Sequence, residues 1–375
     1  MMRKLWLLSV LLLAGCWDTK EPERMLYIHG LGMDYEDEQY VTYAQIIDFT
    51  NIAKSDQPNN PNAVQAEVGR GKGRTPSEAL HDLYQSADQR INWGHFSYVV
   101  FSEALLKSGQ MDMVLNTFTR FSETRYNILV YSTQDSLEEI MLTTPIINRA
   151  ISQSKLSDPY NSYQQQSLIW PLNIRQLIID LTEPSYVSSI PFVKLIEDWT
   201  TKDGPSTVTQ IAGVSVISAT TLKGVLQQED ARGLQWLSNE TKQSGITIDK
   251  VGDEEQAISF VFEHIHVDVT PVITQQQVLF DVTIHGNATL RSFAENVTQK
   301  SMREAIEKQM TKEIRRTFEA ALAFDADVYR LEEYLYRKYP KQRNELSLSE
   351  ETLRNITIHI EKITVDRKSY KEVVK

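Results

Sequence analysis

Cys16 is the only cysteine among 375 residues, and it stands directly after Leu13-Ala14-Gly15. The segment that ends on it has three parts: basic Arg3 and Lys4, an almost unbroken apolar run from Leu5 to Leu13, and the small residues Ala14 and Gly15. A run of that length suits a signal-peptide core and is too short for a stable membrane-spanning helix. Small residues before a cut suit a secretory peptidase. A cysteine immediately after the cut offers a sulfur for a diacylglyceryl thioether, which points to a lipoprotein. Two acyl chains hold stably, at roughly 0.8 kcal/mol per buried methylene. The expected product is therefore cleaved before Cys16 and anchored to the outer face of a membrane by lipid on that residue. A single cysteine also excludes an internal disulfide.

The other chemistry-bearing patterns are weaker. Gly69-Arg70-Gly71-Lys72-Gly73-Arg74-Thr75 puts three cations and flexible backbone ahead of a helix start, where free N–H groups attract anions. It lacks the P-loop pattern. It reads as a solvated basic turn, with Arg70, Lys72 and Arg74 as candidates for contact with an anion or with a partner's acidic loop. His264 and His266, two apart on a strand, share a face with Asp268. Zinc needs at least a third protein ligand, so this trio reads as the wet face of a strand, and no metal or other cofactor is expected. His95 has no nucleophile setting around it, and no hydrolase, zincin or dinucleotide motif occurs. The chain is expected not to be an enzyme. Its net charge of −11 becomes −13 when Arg3 and Lys4 leave with the leader. An acidic body disfavours nucleic acid and anionic headgroups, so membrane attachment falls to the lipid.

The elements that would position these residues form an α+β, mixed α/β ectodomain of antiparallel sheets flanked by helices. Met25 to Ile28 and Tyr40 to Phe49 read as strands around a turn at Asp34 to Asp37. A helix starts at Thr75-Pro76-Ser77-Glu78, with Thr75 as N-cap, Pro76 at the first position and Glu78 closing a capping box. Strands are expected at Ser97 to Phe101 and Asn127 to Tyr131. Helices are expected at Gln110 to Phe121, Ser136 to Met141, Pro145 to Gln153 and Pro171 to Leu181. Thr200 to Pro205 reads as a linker. Ile211 to Ser218 and Thr221 to Val225 form a hairpin around Ala219-Thr220. Val278, Phe280, Val282 and Ile284 alternate with polar residues, as do Ile356, Ile358 and Ile360, so each strand has one buried and one wet face. Met302, Ile306, Met310, Ile314 and Phe318 stripe a long helix between them, and Ala326 to Tyr339 reads as another. The expected division is signal peptide 1–15, tether 16–24, N-terminal α/β domain 25–200, small middle domain 206–252 and C-terminal α+β domain 256–375.

Taken in order, several segments carry a family resemblance: Gly15-Cys16-Trp17-Asp18, Gly73-Arg74-Thr75 with Glu78-Ala79-Leu80, Gly94-His95 before a strand, and Ser102-Glu103-Ala104-Leu105. It continues through Gly213-Val214-Ser215-Val216, Leu222-Lys223-Gly224-Val225-Leu226 and Gly233-Leu234-Gln235-Trp236-Leu237. The chain resembles the Ger(x)C family, the lipoprotein C subunit of spore germinant receptors, over nearly its whole mature length. Arg74 stands where the family has lysine. The resemblance implies a mixed α/β ectodomain in three parts, on the outer surface of the spore inner membrane beside polytopic A and B subunits. It implies lipidation of Cys16 and carries over no catalytic residue. A solute-binding lipoprotein that presents a nutrient to a membrane partner is the alternative.

Overall fold

The structure, a computed structural model, describes residues 25–47, 66–120, 125–183, 187–252, 257–274, 277–292, 297–339, 341 and 348–365. β1 (Met25–Glu36) and β2 (Gln39–Ile47) form a hairpin that turns at Asp37 and Glu38, both at positive φ. That conformation matches the twist of paired strands, and it lets β1 run past the turn expected at Asp34. β3 (Ala66–Gly73) adds antiparallel to β2 and leads into α1 (Pro76–Gln85). The expected cap is present: the Glu78 amide donates to Thr75 Oγ1 at 3.1 Å. The Glu78 carboxylate accepts from the Arg74 amide at 2.9 Å, one residue before the reciprocal partner that a capping box predicts.

β4 (Arg90–Asn92) and β5 (Tyr98–Ser102) both pair parallel with β1. α2 (Glu103–Ser108) and α3 (Met111–Arg120) return the chain to β6 (Leu129–Thr133), parallel to β5, and α4 (Leu137–Leu142) follows. The helix expected over Pro145 to Gln153 is replaced by two short 3-10 turns, Ile146–Asn148 and Ile151–Gln153, with Ile147 at φ 61°. Thr143, Thr144, Ile146 and Ile147 are β-branched and disfavour a continuous helix. α5 (Tyr160–Gln165) and α6 (Ile174–Thr182) precede a long hairpin of β7 (Val187–Thr201) and β8 (Gly204–Ser218), and β9 (Thr221–Gln227) closes the sheet. The nine strands run β3-β2-β1-β5-β6-β7-β8-β9, with β4 beside β1.

Thr200 to Pro205 is the tight end of the β7–β8 hairpin rather than a linker; Thr201 pairs with Gly204, which sits at φ 132°. Gly-Pro punctuation marks a turn and a linker alike. Residues 206–252 place β8 and β9 in the large sheet and β10 (Gln243–Ile248) in a second one.

The second sheet runs β10-β11-β12-β13, from β11 (Ile258–Ile273) and β12 (Val278–Leu290) through α7 (Gln299–Leu322) and α8 (Leu331–Lys338) to β13 (Leu353–Val365). β13 is parallel to β12, so the two helices form a crossover where antiparallel order was expected. Alternation marks faces and is blind to strand direction. All five residues of the α7 stripe are buried against the inner face of this sheet. Asp325 and Arg330 at positive φ delay α8 to Leu331, within the span expected from Ala326. The same apolar cluster takes in Val214, Val216 and Leu226 from the large sheet, so one core joins the two sheets. The large sheet holds a further cluster under α1, α2, α3 and α6, and a smaller one on its opposite face around Tyr131 and Leu156.

Candidate functional site

Cys16 lies outside the described residues. The basic motif is described, and its glycines explain its spacing. Gly71 and Gly73 turn to the face of β3 that α1 crosses. A Cβ at Gly71 would run into the Ala79 carbonyl and stand 2.6 Å from the Leu83 amide, and one at Gly73 would stand 2.5 Å from the Ala79 amide. Backbone atoms cannot yield as a flexible side chain can, so Gly71→Ala is expected to cost about 3 kcal/mol in urea denaturation, at the upper end of overpacking; a loss under about 1 kcal/mol would contradict this packing.

The cations that alternate with these glycines each meet a carboxylate. Arg70 Nη2 lies 3.2 Å from Glu36 and its guanidinium stacks over Tyr43; Lys72 Nζ lies 3.5 Å from Asp37, and Arg74 Nε 3.4 Å from Glu78. Exposed pairs of this kind are weak and exchange readily. The structure thus brings Arg70, Lys72 and Arg74 together along one edge and gives an incoming anion carboxylates to displace.

His264 and His266 do not share one ladder. β11 bulges between Glu263 and His266, and His264 sits at φ 57°, out of register with β12. His266 Nε2 keeps a contact with Asp268 at 3.6 Å.

His95 lines a cleft of about 330 Å³ at the end of the large sheet where β1 begins. Its ring stands edge-on to Tyr27, two residues into β1. At the floor is His29, which a bulge between Ile28 and Gly30 takes out of the β1–β2 pairing. His29 is buried, and its Nε2 lies 2.7 Å from Ser157 Oγ, with Nδ1 3.4 Å from Ser97 Oγ. Ser157 Oγ also donates to the Ile151 carbonyl at 3.2 Å, and Ser97 Oγ to the His95 carbonyl at 2.9 Å. Burial lowers the His29 pKa to about 4, which keeps the ring neutral. Burial also lowers that of His95, and the nearby Arg125 adds to the effect. A serine on each imidazole nitrogen pins the 151–157 segment to β1, and among the described residues no carboxylate pairs with the ring, unlike the base of a Ser-His-Asp triad.

A second polar contact joins the regions before and after the β7–β8 hairpin. Asp180 on α6 accepts from Gln176 Nε2 at 2.8 Å and Ser188 Oγ at 3.1 Å, and it pairs with Arg330 at the start of α8. Sequence reading missed His29, Ser157, Asp180 and Arg330. A histidine inside the apolar strand Tyr27-Ile28-His29 was the one local signal.

Two family profiles cover most of the chain: the spore germination protein N-terminal domain over residues 18–195, and the spore germination B3/GerAC-like C-terminal domain over residues 212–367. The chain belongs to the GerAC-like spore germination family. Among relatives from Bacillus subtilis (strain 168), spore germination protein KC is 26% identical over 90% of this chain and 87% of its own. Spore germination protein B3 is 24% identical over 82% and 79%. The crystal structure of the GerBC protein matches with a TM-score of 0.50 at 15% identity, covering 90% of this chain and 96% of that one, so the fold is shared. The GerAC-like halves meet at the β7–β8 hairpin, and the Asp180–Arg330 pair bridges them. The family is not a known enzyme family, and among the described residues no helix is long and apolar enough to cross a membrane.

Proposed function

We propose that this chain is the C subunit of a nutrient germinant receptor, anchored by lipid on Cys16 and acting in spore germination by assembly with polytopic A and B subunits. The observation that carries the reading is the match to both halves of a GerAC-like protein, following a segment that ends in Leu-Ala-Gly-Cys. Eight residues lie between Cys16 and Met25, a span of nine residue steps. At about 3.3–3.6 Å per extended residue, the start of β1 stays within roughly 30 Å of the acyl chains. The His29–His95 cleft opens at that same end of the sheet. Confinement to the membrane plane raises the local concentration around membrane partners without any new contact. The work is binding rather than catalysis. The edge formed by Arg70, Lys72 and Arg74 serves as a contact for a partner's acidic loop, which takes over from the internal carboxylates.

The experiment is to delete the gene in the native host and measure the two polytopic subunits in spore membranes. The reading expects both to be depleted and one nutrient response to be lost. Normal levels with a normal response would overturn it.

One observation favours the alternative, a solute-binding lipoprotein. A groove of about 630 Å³ lies between residues 143–162 and the β7–β8 hairpin, lined by Arg149 and Lys155 beside Ile196 and Val208. Burial lowers the Lys155 pKa. The size falls within the small-molecule range. A nutrient-dependent rise in melting temperature that Lys155→Ala abolishes would favour this reading, and no shift with any nutrient would dismiss it.

A further inference from the structure

The wet face of the small sheet brings together side chains far apart in sequence, and their chemistry is independent of any role in a receptor. His266, His285 and His359 lie on β11, β12 and β13. The pairing sets His266 opposite His285, and His285 opposite His359. Three of the seven histidines therefore form one row across three neighbouring strands, each about 4.8 Å from the next. The His285 and His359 rings are stacked, their centroids 4.9 Å apart and their planes 30° from parallel. Carboxylates flank the row: Asp268 Oδ2 is 3.6 Å from His266 Nε2, and Glu361 Oε1 is 3.8 Å from His285 Nδ1.

We propose that this row binds a divalent transition-metal ion of the zinc class. Three imidazoles are the protein ligands of an open zinc site, and water or a carboxylate takes the fourth position. Imidazole suits zinc, copper and nickel, whereas calcium and magnesium require oxygen donors, so the row selects against the hard cations. The lone-strand trio His264, His266 and Asp268 lacks a third imidazole in register; His285 and His359 supply what that strand could not.

Among the described residues no three imidazole, thiol or carboxylate groups already converge on one point. The metal draws them together. His285, in the middle, reaches it through Nδ1, while the outer rings lean inward and use Nε2. All three side chains are solvent-accessible, so they turn between staggered wells without disturbing the core. Asp268 and Glu361 then hold ring orientations or close the coordination sphere, the usual task of carboxylates beside metal-bound histidines. Ligation uses the neutral rings.

The test titrates the full-length protein, held in detergent micelles at neutral pH, with Zn²⁺ by calorimetry. A Cu²⁺-loaded sample is read by electron paramagnetic resonance. The proposal expects one Zn²⁺ per chain and nitrogen couplings from more than one imidazole. It expects affinity to fall about tenfold or more in His285→Asn and in His359→Gln, with unchanged circular dichroism, while His81→Asn binds as the parent does. No stoichiometric Zn²⁺ binding, equal affinity in the row variants, or coupling to a single imidazole would overturn it.

Discussion

Asp180→Ala is expected to destabilise the folded chain by about 3 kcal/mol, because it removes a buried carboxylate that a partly buried guanidinium and two neighbouring donors share. Removing one partner of a buried ion pair costs about 3–5 kcal/mol. The Asp180 side chain is 5% exposed and that of Arg330 is 36% exposed, which places the loss near the lower end. The effect reaches beyond one contact. Gln176 and Ser188 also lose their acceptor, and Ser188 is the second residue of β7. Arg330 sits at φ 56° immediately before α8, so its guanidinium helps to hold a backbone conformation that arginine rarely adopts. Replacing both members, Asp180→Leu with Arg330→Met, is expected to cost clearly less than the single change, since both charges leave together. Urea denaturation measures both. A single-variant loss below about 1 kcal/mol, or a double variant worse than the single, would show that the two halves are held by the apolar core alone.

The second large effect is a pair of opposed pH dependences. The His29 pKa is lowered from 6.5 to about 4, chiefly by burial. The unfolded chain then binds more protons than the folded one between those values, so His29 contributes stability that is complete above pH 6.5 and lost as the pH falls towards 4. The Asp327 pKa is raised from 3.8 to about 6, again chiefly by burial, with the Glu332 charge adding to it and the Glu332 amide opposing it. Here the folded chain binds the extra proton, so the penalty for a buried charge, complete above pH 6, is relieved as the pH falls to 3.8. Each amounts to about 3 kcal/mol at 1.36 kcal/mol per pKa unit. They have opposite signs over nearly the same window and largely cancel.

Single variants separate the two. Relative to the parent, His29→Gln is expected to gain about 3 kcal/mol on going from pH 7 to 4, and Asp327→Asn to lose about as much. Denaturation curves at the two pH values read the difference directly. Variants whose stability tracks the parent at both pH values would contradict the burial of these groups as the cause.

What could be read in the sequence was local. Thr75-Pro76-Ser77-Glu78 announces α1 because a cap and its first turn lie within four residues. The alternation of β12 and β13 announces a half-buried sheet because neighbouring residues carry it. The family resemblance, resting on short motifs in order, agrees with the two domain matches. What escaped depends on residues far apart. The parallel pairing of β12 and β13 requires α7 and α8 to fold back over the sheet. His29 meets Ser157 across 128 positions, and Asp180 meets Arg330 across 150. The glycines of 69–73 were misleading for a related reason. Flexible backbone for an anion and clearance for a crossing helix call for the same residue, and only the position of α1 decides between them.

The proposed lipid on Cys16 would hold this GerAC-like chain at the membrane, beside the proposed receptor subunits. The most direct measurement uses Cys16→Ala spores, combining membrane fractionation with germination responses to nutrients and to a receptor-independent trigger. The account predicts that the variant protein leaves the membrane fraction and that one nutrient response is selectively lost, while the receptor-independent response is kept. A variant that stays in the membrane fraction, or one that is released while every nutrient response remains normal, would contradict it.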